Sequence, residues 1–356
     1  MHDNKRQIPD FFPESAAIIT TYKCTAHCKD CCFDCSPQES DTLTLEEIKL
    51  FIDEISKMNS IKSIVWTGGE CSTLGKKLSE GIAYAKSKGK VSRIVSNASW
   101  SKGIEKDKKY LSKLKENGLI EINVSTGDNH QQFVPIEKVL SVIEAAVSIG
   151  LRALISIEKT KFSKFTIETL KANSTYKRIK KNDKEGLLSI LSASWVSFNN
   201  DSSYEYDEES FIEKKDGCNS LYNTIALSPE KDVLSCCGIT VRYIPEMTLG
   251  KLSQDSVTVS EMYNRQKFDF MKQWLFAEGP LDILSQVFEW DNTIKIPKFV
   301  HPCQACAYIF QSPEIIKVIE NNYTSILESV TKKFYQKINF KSTFREKLNA
   351  QVDLES

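Results

Sequence analysis

Between residues 16 and 197 the chain alternates short apolar, β-branched runs with longer stretches of helical period. AAIITT (16–21), SIVW (63–66), RIVSN (93–97), IEINV (120–124), ALISI (153–157) and a run near Leu191 to Ser197 read as strands. Thr44-Leu-Glu-Glu47 is a capping-box start, and Leu45, Ile48, Ile52 and Ile55 share one face of the helix it opens. Further helical periods cover Lys106 to Glu116, Ile136 to Ser148 and Phe165 to Lys171. Six strands each trailed by a helix, joined by right-handed crossovers, predict an α/β fold whose parallel sheet curls into a partial (β/α)6 barrel over 16–200. Ligands in such sheets sit at the carboxyl ends of the strands.

The pattern then changes. FNNDSSYEYDEES (198–210) begins a linker extending over 201–217. YNTIALSPEKDVLSCC (222–237) reads as a β-hairpin turning at Pro229-Glu-Lys-Asp232, and HPCQAC follows at 301–306. Residues 218–312 therefore form a small C-terminal domain of hairpin plus helices, 1–15 an N-terminal extension, and 313–356 a tail that is helical to about Gln336 and then basic. A type I turn at the hairpin needs no glycine, so Lys231 is acceptable there.

Forty-seven basic residues against forty-seven acidic ones create no net field for a phosphate backbone, so nucleic acid is not an expected partner. The Lys/Arg-rich stretch from Lys159 to Lys184 and the acidic one from Asp201 to Asp216 read as a solvated helix face and a solvated loop. No run of 18 apolar residues exists to span a bilayer, and the N-terminus lacks a signal pattern, which points to a cytoplasmic protein. Eleven cysteines in that reducing compartment imply metal or redox chemistry.

Five of them crowd YKCTAHCKDCCFDC (22–35), where the spacing C-x3-C-x2-C occurs twice, as Cys24, Cys28, Cys31 and as Cys28, Cys32, Cys35. Three thiolates suit an iron-sulfur cube with one open iron better than a four-ligand zinc site. The first frame begins where the strand ends and is preferred.

The cysteine motif after the first strand, TGGE (67–70) after the second, Ser96-Asn97 after the third, and Ser125 with Asp128 after the fourth resemble the radical S-adenosylmethionine (radical SAM) enzymes, over about residues 16–200. The resemblance implies a 4Fe-4S cluster on Cys24, Cys28 and Cys31 and bound S-adenosylmethionine. Gly68 and Gly69 would admit the methionine moiety, Glu70 would fix its ammonium, and Ser96, Asn97, Ser125 and Asp128 would bind cofactor. Asp30 and Asp34 depart from the aromatic residue that many members carry before the third cysteine. Cys218, Cys236, Cys303 and Cys306 resemble the short (twitch, or SPASM-like) auxiliary domains of the same superfamily, implying a second 4Fe-4S cluster, with zinc as the alternative. Cys236 is preferred to Cys237 by its place after the turn.

Cys71 and His130 are candidate catalytic residues; for each, a structural role is the competing reading. Cys32, Cys35 and Cys237 read as packing residues, His27 as a loop residue, and Glu158 as either a barrel group or a surface ion pair. The resemblance implies reductive cleavage of S-adenosylmethionine, a 5′-deoxyadenosyl radical, and hydrogen abstraction from a substrate. A ribosomally made peptide, to be crosslinked, oxidised or epimerised, is the first expectation, although no leader-binding segment precedes Cys24. A small metabolite such as an aminosugar is the alternative, activation of a partner through a glycyl radical a weaker one, and a non-enzymatic iron-sulfur or zinc sensor the remaining class. A flavodoxin or ferredoxin is the expected electron donor.

Overall fold

The computed structural model describes residues 12–197, 204–213, 216–253 and 257–355, with side chains to residue 341. The N-terminal extension before residue 12 and linker residues 198–203 and 214–215 lie outside the described residues. Six strands, β1 (Ser15–Ile19), β2 (Ser63–Thr67), β3 (Val91–Ser96), β4 (Leu119–Thr126), β5 (Arg152–Lys159) and β6 (Leu188–Ser194), lie parallel and in chain order. The crossovers carry α1 (Leu45–Ser56), α2 (Lys76–Ser87), α3 (Ile104–Glu116), α4 (Ile136–Ser148), α5 (Ile167–Ala172) and α6 (Ser174–Asn182). The expected helix near Phe165 is thus two helices. On α6, Tyr176 and Ile179 are buried and its lysines are exposed, the solvated face that the sequence predicts.

Local chemistry explains these elements. Thr44 Oγ1 accepts from Glu47 N at 3.2 Å and the Glu47 carboxylate accepts from Thr44 N at 2.8 Å, a complete capping box worth about 1 kcal/mol. Ile48, Phe51, Ile52 and Ile55 of α1 are fully buried against the sheet. Period-two alternation then splits every strand between two surroundings. Ile64, Trp66, Ile122, Val124, Ala153, Ile155 and Ile157 face the helices and are buried. Their neighbours Val65, Asn123, Ser125, Leu154 and Ser156 face the concave side and are only half-buried. Closed barrels fill that interior with bulky side chains; here the inner face remains accessible.

The predicted hairpin is present but does not stand apart. Strands β7 (Thr224–Leu227) and β8 (Asp232–Leu234) form it, β9 (Thr248–Lys251) adds to β8, and β7 pairs in parallel with β1. One open nine-stranded sheet results, in the order β6-β5-β4-β3-β2-β1-β7-β8-β9. Without β7, β1 would be an edge strand with a row of unmet N–H and C=O groups. In the hairpin turn Lys231 N donates to Ser228 O at 2.9 Å, and Lys231 takes φ +69°. The type I turn itself needs no glycine, but the residue closing this three-residue loop adopts the left-handed conformation that glycine favours.

Helices α7 (Val259–Arg265), α8 (Phe270–Ala277), α9 (Pro280–Trp290), α10 (Pro302–Gln311), α11 (Pro313–Asn322) and α12 (Leu327–Glu355) complete the described chain. The helical tail runs on past Gln336. Helix α12 packs on α8, placing Phe334 against the Phe276 and Tyr222 rings at 5.7 and 5.2 Å. No helix among the described residues is long and apolar enough to cross a membrane.

Candidate active site

The first cysteine loop is closed at its base, where Cys24 N donates to Ser36 O at 2.9 Å and Lys23 bridges Ser36. Asp30 and Asp34, where the family's aromatic residue is absent, both adopt positive φ (59° and 51°), a conformation that Asp tolerates better than a bulky ring. The Asp30 carboxylate also accepts from Tyr204 Oη at 2.9 Å and Ser197 Oγ at 3.4 Å. That part of the predicted solvated linker therefore packs on the loop. Trp195 Nε1 donates to Lys29 O at 3.1 Å, and Arg242 Nη1 to Phe33 O, so the loop is held from both sides of the barrel mouth. His27 is exposed.

Cys24, Cys28, Cys31, Cys32 and Cys35 all face a cavity, open to solvent, at the carboxyl ends of the strands. Gly68, Gly69, Ser96, Asn97, Ser125 and His130 line it too. Cys28 feels the Cys31, Glu158 and Cys24 side chains, and Cys35 those of Cys31, Cys24 and Cys32, so the five thiols form one group. Hydrogen bonds from Cys32 and then Cys35 hold the Cys31 thiol well below its usual range. Cys32 and Cys35 thus share the cavity wall with Cys31. Burial pushes Cys24 and Cys28 up to about 11 and 12. Buried sulfurs at this density call for a cationic centre to ionise together.

Five predicted residues sit differently from expectation. A Cβ on Gly68 would lie 2.5 Å from Thr21 O and one on Gly69 2.3 Å from Lys23 O, so these glycines first admit the backbone after β1. Gly69 N and Glu70 N then donate to Thr21 O and Lys23 O at 2.7 and 3.0 Å. Glu70 is fully buried and does not line the cavity; its carboxylate accepts from Ser96 Oγ, Asn97 N and Ser72 N at 3.0, 2.7 and 3.1 Å. It ties β2 to β3 behind the wall, and burial raises its pKa. Cys71 is also off the cavity, fully buried, its thiol on Val95 O at 3.3 Å. Asp128 points away as well, accepting from Lys164 N and Phe165 N at 2.6 and 2.9 Å.

Ser96, Asn97 and Ser125 do reach the cavity, and Asn97 Nδ2 donates to Thr25 Oγ1 at 3.1 Å and lies 3.6 Å from Cys24 Sγ. Glu158 is buried inside the barrel, where it accepts from Asn129 N and pairs with His130 Nδ1. A Cβ on Gly127 would fall 2.2 Å from the Glu158 side chain, so this pairing requires a glycine there. The His130 ring meets Trp195 edge-on at 5.5 Å. Ser156, Trp195 and Ile239 line the cavity without having been singled out in the sequence. Two-residue spacing from Glu158 could have found Ser156; Ile239 comes from beyond the hairpin and carries no such signal.

Cys218, Cys236, Cys303 and Cys306 surround a second, smaller space of about 440 Å³. Leu221, Val241, Ile244, Met247 and Leu275 supply most of its wall, and no charged side chain lines it. Gly238 is pressed between Cys303 and Cys236, where a Cβ would lie 3.0 and 3.7 Å from their sulfurs. His301 Nδ1 accepts from Cys303 N at 3.1 Å and caps α10. Burial raises the Cys303 thiol to about 11 and those of Cys236 and Cys306 as well. Cys237 is off this wall. Among the described residues no three His, Cys, Asp or Glu side chains gather closely enough for one metal ion, whereas a cube takes each thiolate at a separate iron.

Residues 18–172 match the model of the radical SAM superfamily. The chain is similar to a putative peptide biosynthesis protein, YydG, of Bacillus subtilis (strain 168), 23% identical over 320 residues that cover 86% of this chain and 94% of that protein. Among solved structures it is similar to native anSMEcpe with bound AdoMet and Cp18Cys peptide, with a TM-score of 0.52, 15% identity and coverage of 86% and 99% of the two chains. It is also similar to Streptococcus suis SuiB bound to S-adenosylmethionine, with a TM-score of 0.48, 12% identity and coverage of 77% and 74%. The matched segment contains the cysteine loop and every motif-bearing strand end through β5, and it is that segment that is similar to the radical SAM superfamily.

Proposed function

We propose that this protein is a radical SAM enzyme and that it modifies a ribosomally made peptide. The single observation that carries the site reading is the cysteine loop facing a strand-end cavity walled by Gly68, Gly69, Ser96, Asn97 and Ser125. In this reading Cys24, Cys28 and Cys31 hold a 4Fe-4S cluster, and the cavity wall holds S-adenosylmethionine beside it. When bound and reduced, the pair supplies a 5′-deoxyadenosyl radical that abstracts a substrate hydrogen. The protein's own part is positional: Asn97 contacts both Thr25 and the Cys24 sulfur, and Glu70 fixes the Ser96-Asn97 turn. Such hydrogen bonds to ligand sulfurs tune a cluster's potential. Asp128 and Cys71 have no part in it, whereas His130 borders the space where cofactor and substrate meet.

Cys218, Cys236, Cys303 and Cys306 would hold a second, fully ligated 4Fe-4S cluster, which would supply an electron acceptor. The apolar wall and the absence of charged lining side chains suit a buried electron acceptor. A flavodoxin or ferredoxin is the reductant class for the first cluster. The peptide substrate is supported by the end-to-end similarity to a putative peptide biosynthesis protein and by a fold shared with a structure that holds a peptide.

Anaerobic reconstitution should give about eight irons per chain, and dithionite should then drive formation of 5′-deoxyadenosine. Zinc without iron, or iron without cleavage, would sink this reading. Co-expression with each short reading frame beside its gene, followed by mass spectrometry of the peptide in water and in heavy water, tests the substrate. No change in mass or deuterium content in any of them would transfer the assignment to a small metabolite.

A further inference from the structure

Arg93 and Asn123 lie diagonally across β3 and β4 on the concave face, at the floor of the cavity. Arg93 precedes the wall residue Val95 by two positions on β3 and so lies about 7 Å deeper, whereas Asn123, two before the wall residue Ser125 on β4, is level with Val95. The register sets Val65, Arg93, Glu121 and Arg152 in one row across four strands, and Val95, Asn123 and Leu154 in the next. Arg93 Nη1 and Arg152 Nε each lie 3.7 Å from the one Glu121 carboxylate, which leaves the row with an excess positive charge. The Arg93, Glu121 and Arg152 side chains are 42%, 23% and 57% exposed, so the row is open to a ligand.

Two buried polar atoms in this patch have no hydrogen-bond partner among the described residues: Arg93 Nε, a donor, and Asn123 Oδ1, an acceptor. Each unmet group of this kind costs about 1–3 kcal/mol when nothing binds it. Across the mouth, Ile239 closes the same cavity, and the neighbouring Cys237 side chain is close enough to Arg93 to feel its charge. A donor cation, an amide acceptor and a cover therefore converge just beneath the place where hydrogen abstraction would occur.

We propose that Arg93 and Asn123 form a substrate subsite that selects an acidic residue of a peptide, Arg93 binding its carboxylate and Asn123 Oδ1 its main-chain N–H. This rests on the peptide reading above and adds to it the class of residue held beside the reacting position. Glu121 keeps Arg93 extended into the lumen, and Val65 and Leu154 border the bound side chain with apolar surface.

The test needs no knowledge of the natural substrate. Binding of N-acetyl-glutamate methylamide, N-acetyl-glutamine methylamide and glutarate to the reconstituted holoenzyme is measured by equilibrium dialysis in the presence of S-adenosylmethionine. The blocked glutamate is expected to bind about tenfold more tightly than the blocked glutamine. Arg93→Gln should erase that difference and Arg93→Lys keep part of it, while Asn123→Ala weakens both blocked residues and leaves glutarate unchanged. Iron content and thermal midpoint equal to those of the unaltered protein establish that each variant is folded. Equal binding of the two blocked residues, or a preference that survives Arg93→Gln, overturns the subsite. Glutarate binding that is lost in Arg93→Gln, with no binding of either blocked residue, keeps the carboxylate site and sinks the peptide reading instead.

Discussion

The two cysteine groups of this chain are built in opposite ways. The first comes from one short loop between Cys24 and Cys35, faces a cavity open to solvent, and has polar groups aimed at its sulfurs. The second is collected from Cys218, Cys236, Cys303 and Cys306, across more than eighty residues, and is walled by aliphatic side chains. A local loop can take shape with little closure entropy, whereas a dispersed set forms only when distant segments have docked. Openness and locality go together here, as do enclosure and dispersal. A group that must meet small molecules needs the first design, and one that only accepts an electron is served by the second.

The contrast can be broken most severely at Cys24. Cys24→Ala should abolish 5′-deoxyadenosine formation and halve the iron from about eight, while Cys35→Ala should leave cleavage in place. The opposite result would install the second frame and make the leftover cysteines the ligands. Next comes Cys303→Ala. Iron should fall to about four with reductive cleavage retained and peptide product lost; loss of cleavage as well would mean that the two sites are not separable.

A smaller effect is expected from the carboxylate behind the first site. Glu70→Gln should cost about 2 kcal/mol of unfolding free energy in chemical denaturation, because three donors lose a charged acceptor. Burial holds the Glu70 pKa above its usual 4.5, so the folded state binds this proton more tightly than the unfolded chain. Its contribution to stability is complete below pH 4.5, is lost as pH rises through the raised value, and is flat beyond. Glu70→Gln should remove that slope; a slope that persists assigns it to another group. Smallest is Lys231→Gly at the turn leading to Cys236, where relief of positive φ should add up to about 1 kcal/mol to stability. No gain would mean that its contact with Glu47, 3.4 Å away, outweighs the strain.

The sequence displayed most of the barrel because strand and helix periods differ and Thr44, Glu47 and the β-branched runs announce them. It displayed the cysteine loop and strand-end motifs for the same local reason. What it hid is directional. Glu70, Cys71 and Asp128 occupy the expected strand ends, but their side chains turn toward Ser96, Val95 and Lys164, and only the backbone after each strand decides that turn. The half-exposed lumen of Arg93 and Asn123 was legible as alternation and passed over, since polar residues inside a parallel strand carry meaning only once the inner face is known. Ile239 and the docking of β7 on β1 depend on contacts more than 200 residues apart, beyond the reach of any period.

That last pairing governs the order in which the molecule is made. Ser15 Oγ lies 3.0 Å from Thr224 Oγ1, and β1 shares its far side with β7 from Ser15 to Ile18. At about 5–20 residues per second of synthesis, the strand that carries the cysteine loop waits roughly 10–40 s for that partner to be made. During that interval the nascent chain has a complete loop of thiols and an unpaired strand edge beside it. Protection of that edge from pairing with other strands is thus a task for the growing chain, before the second cysteine group exists.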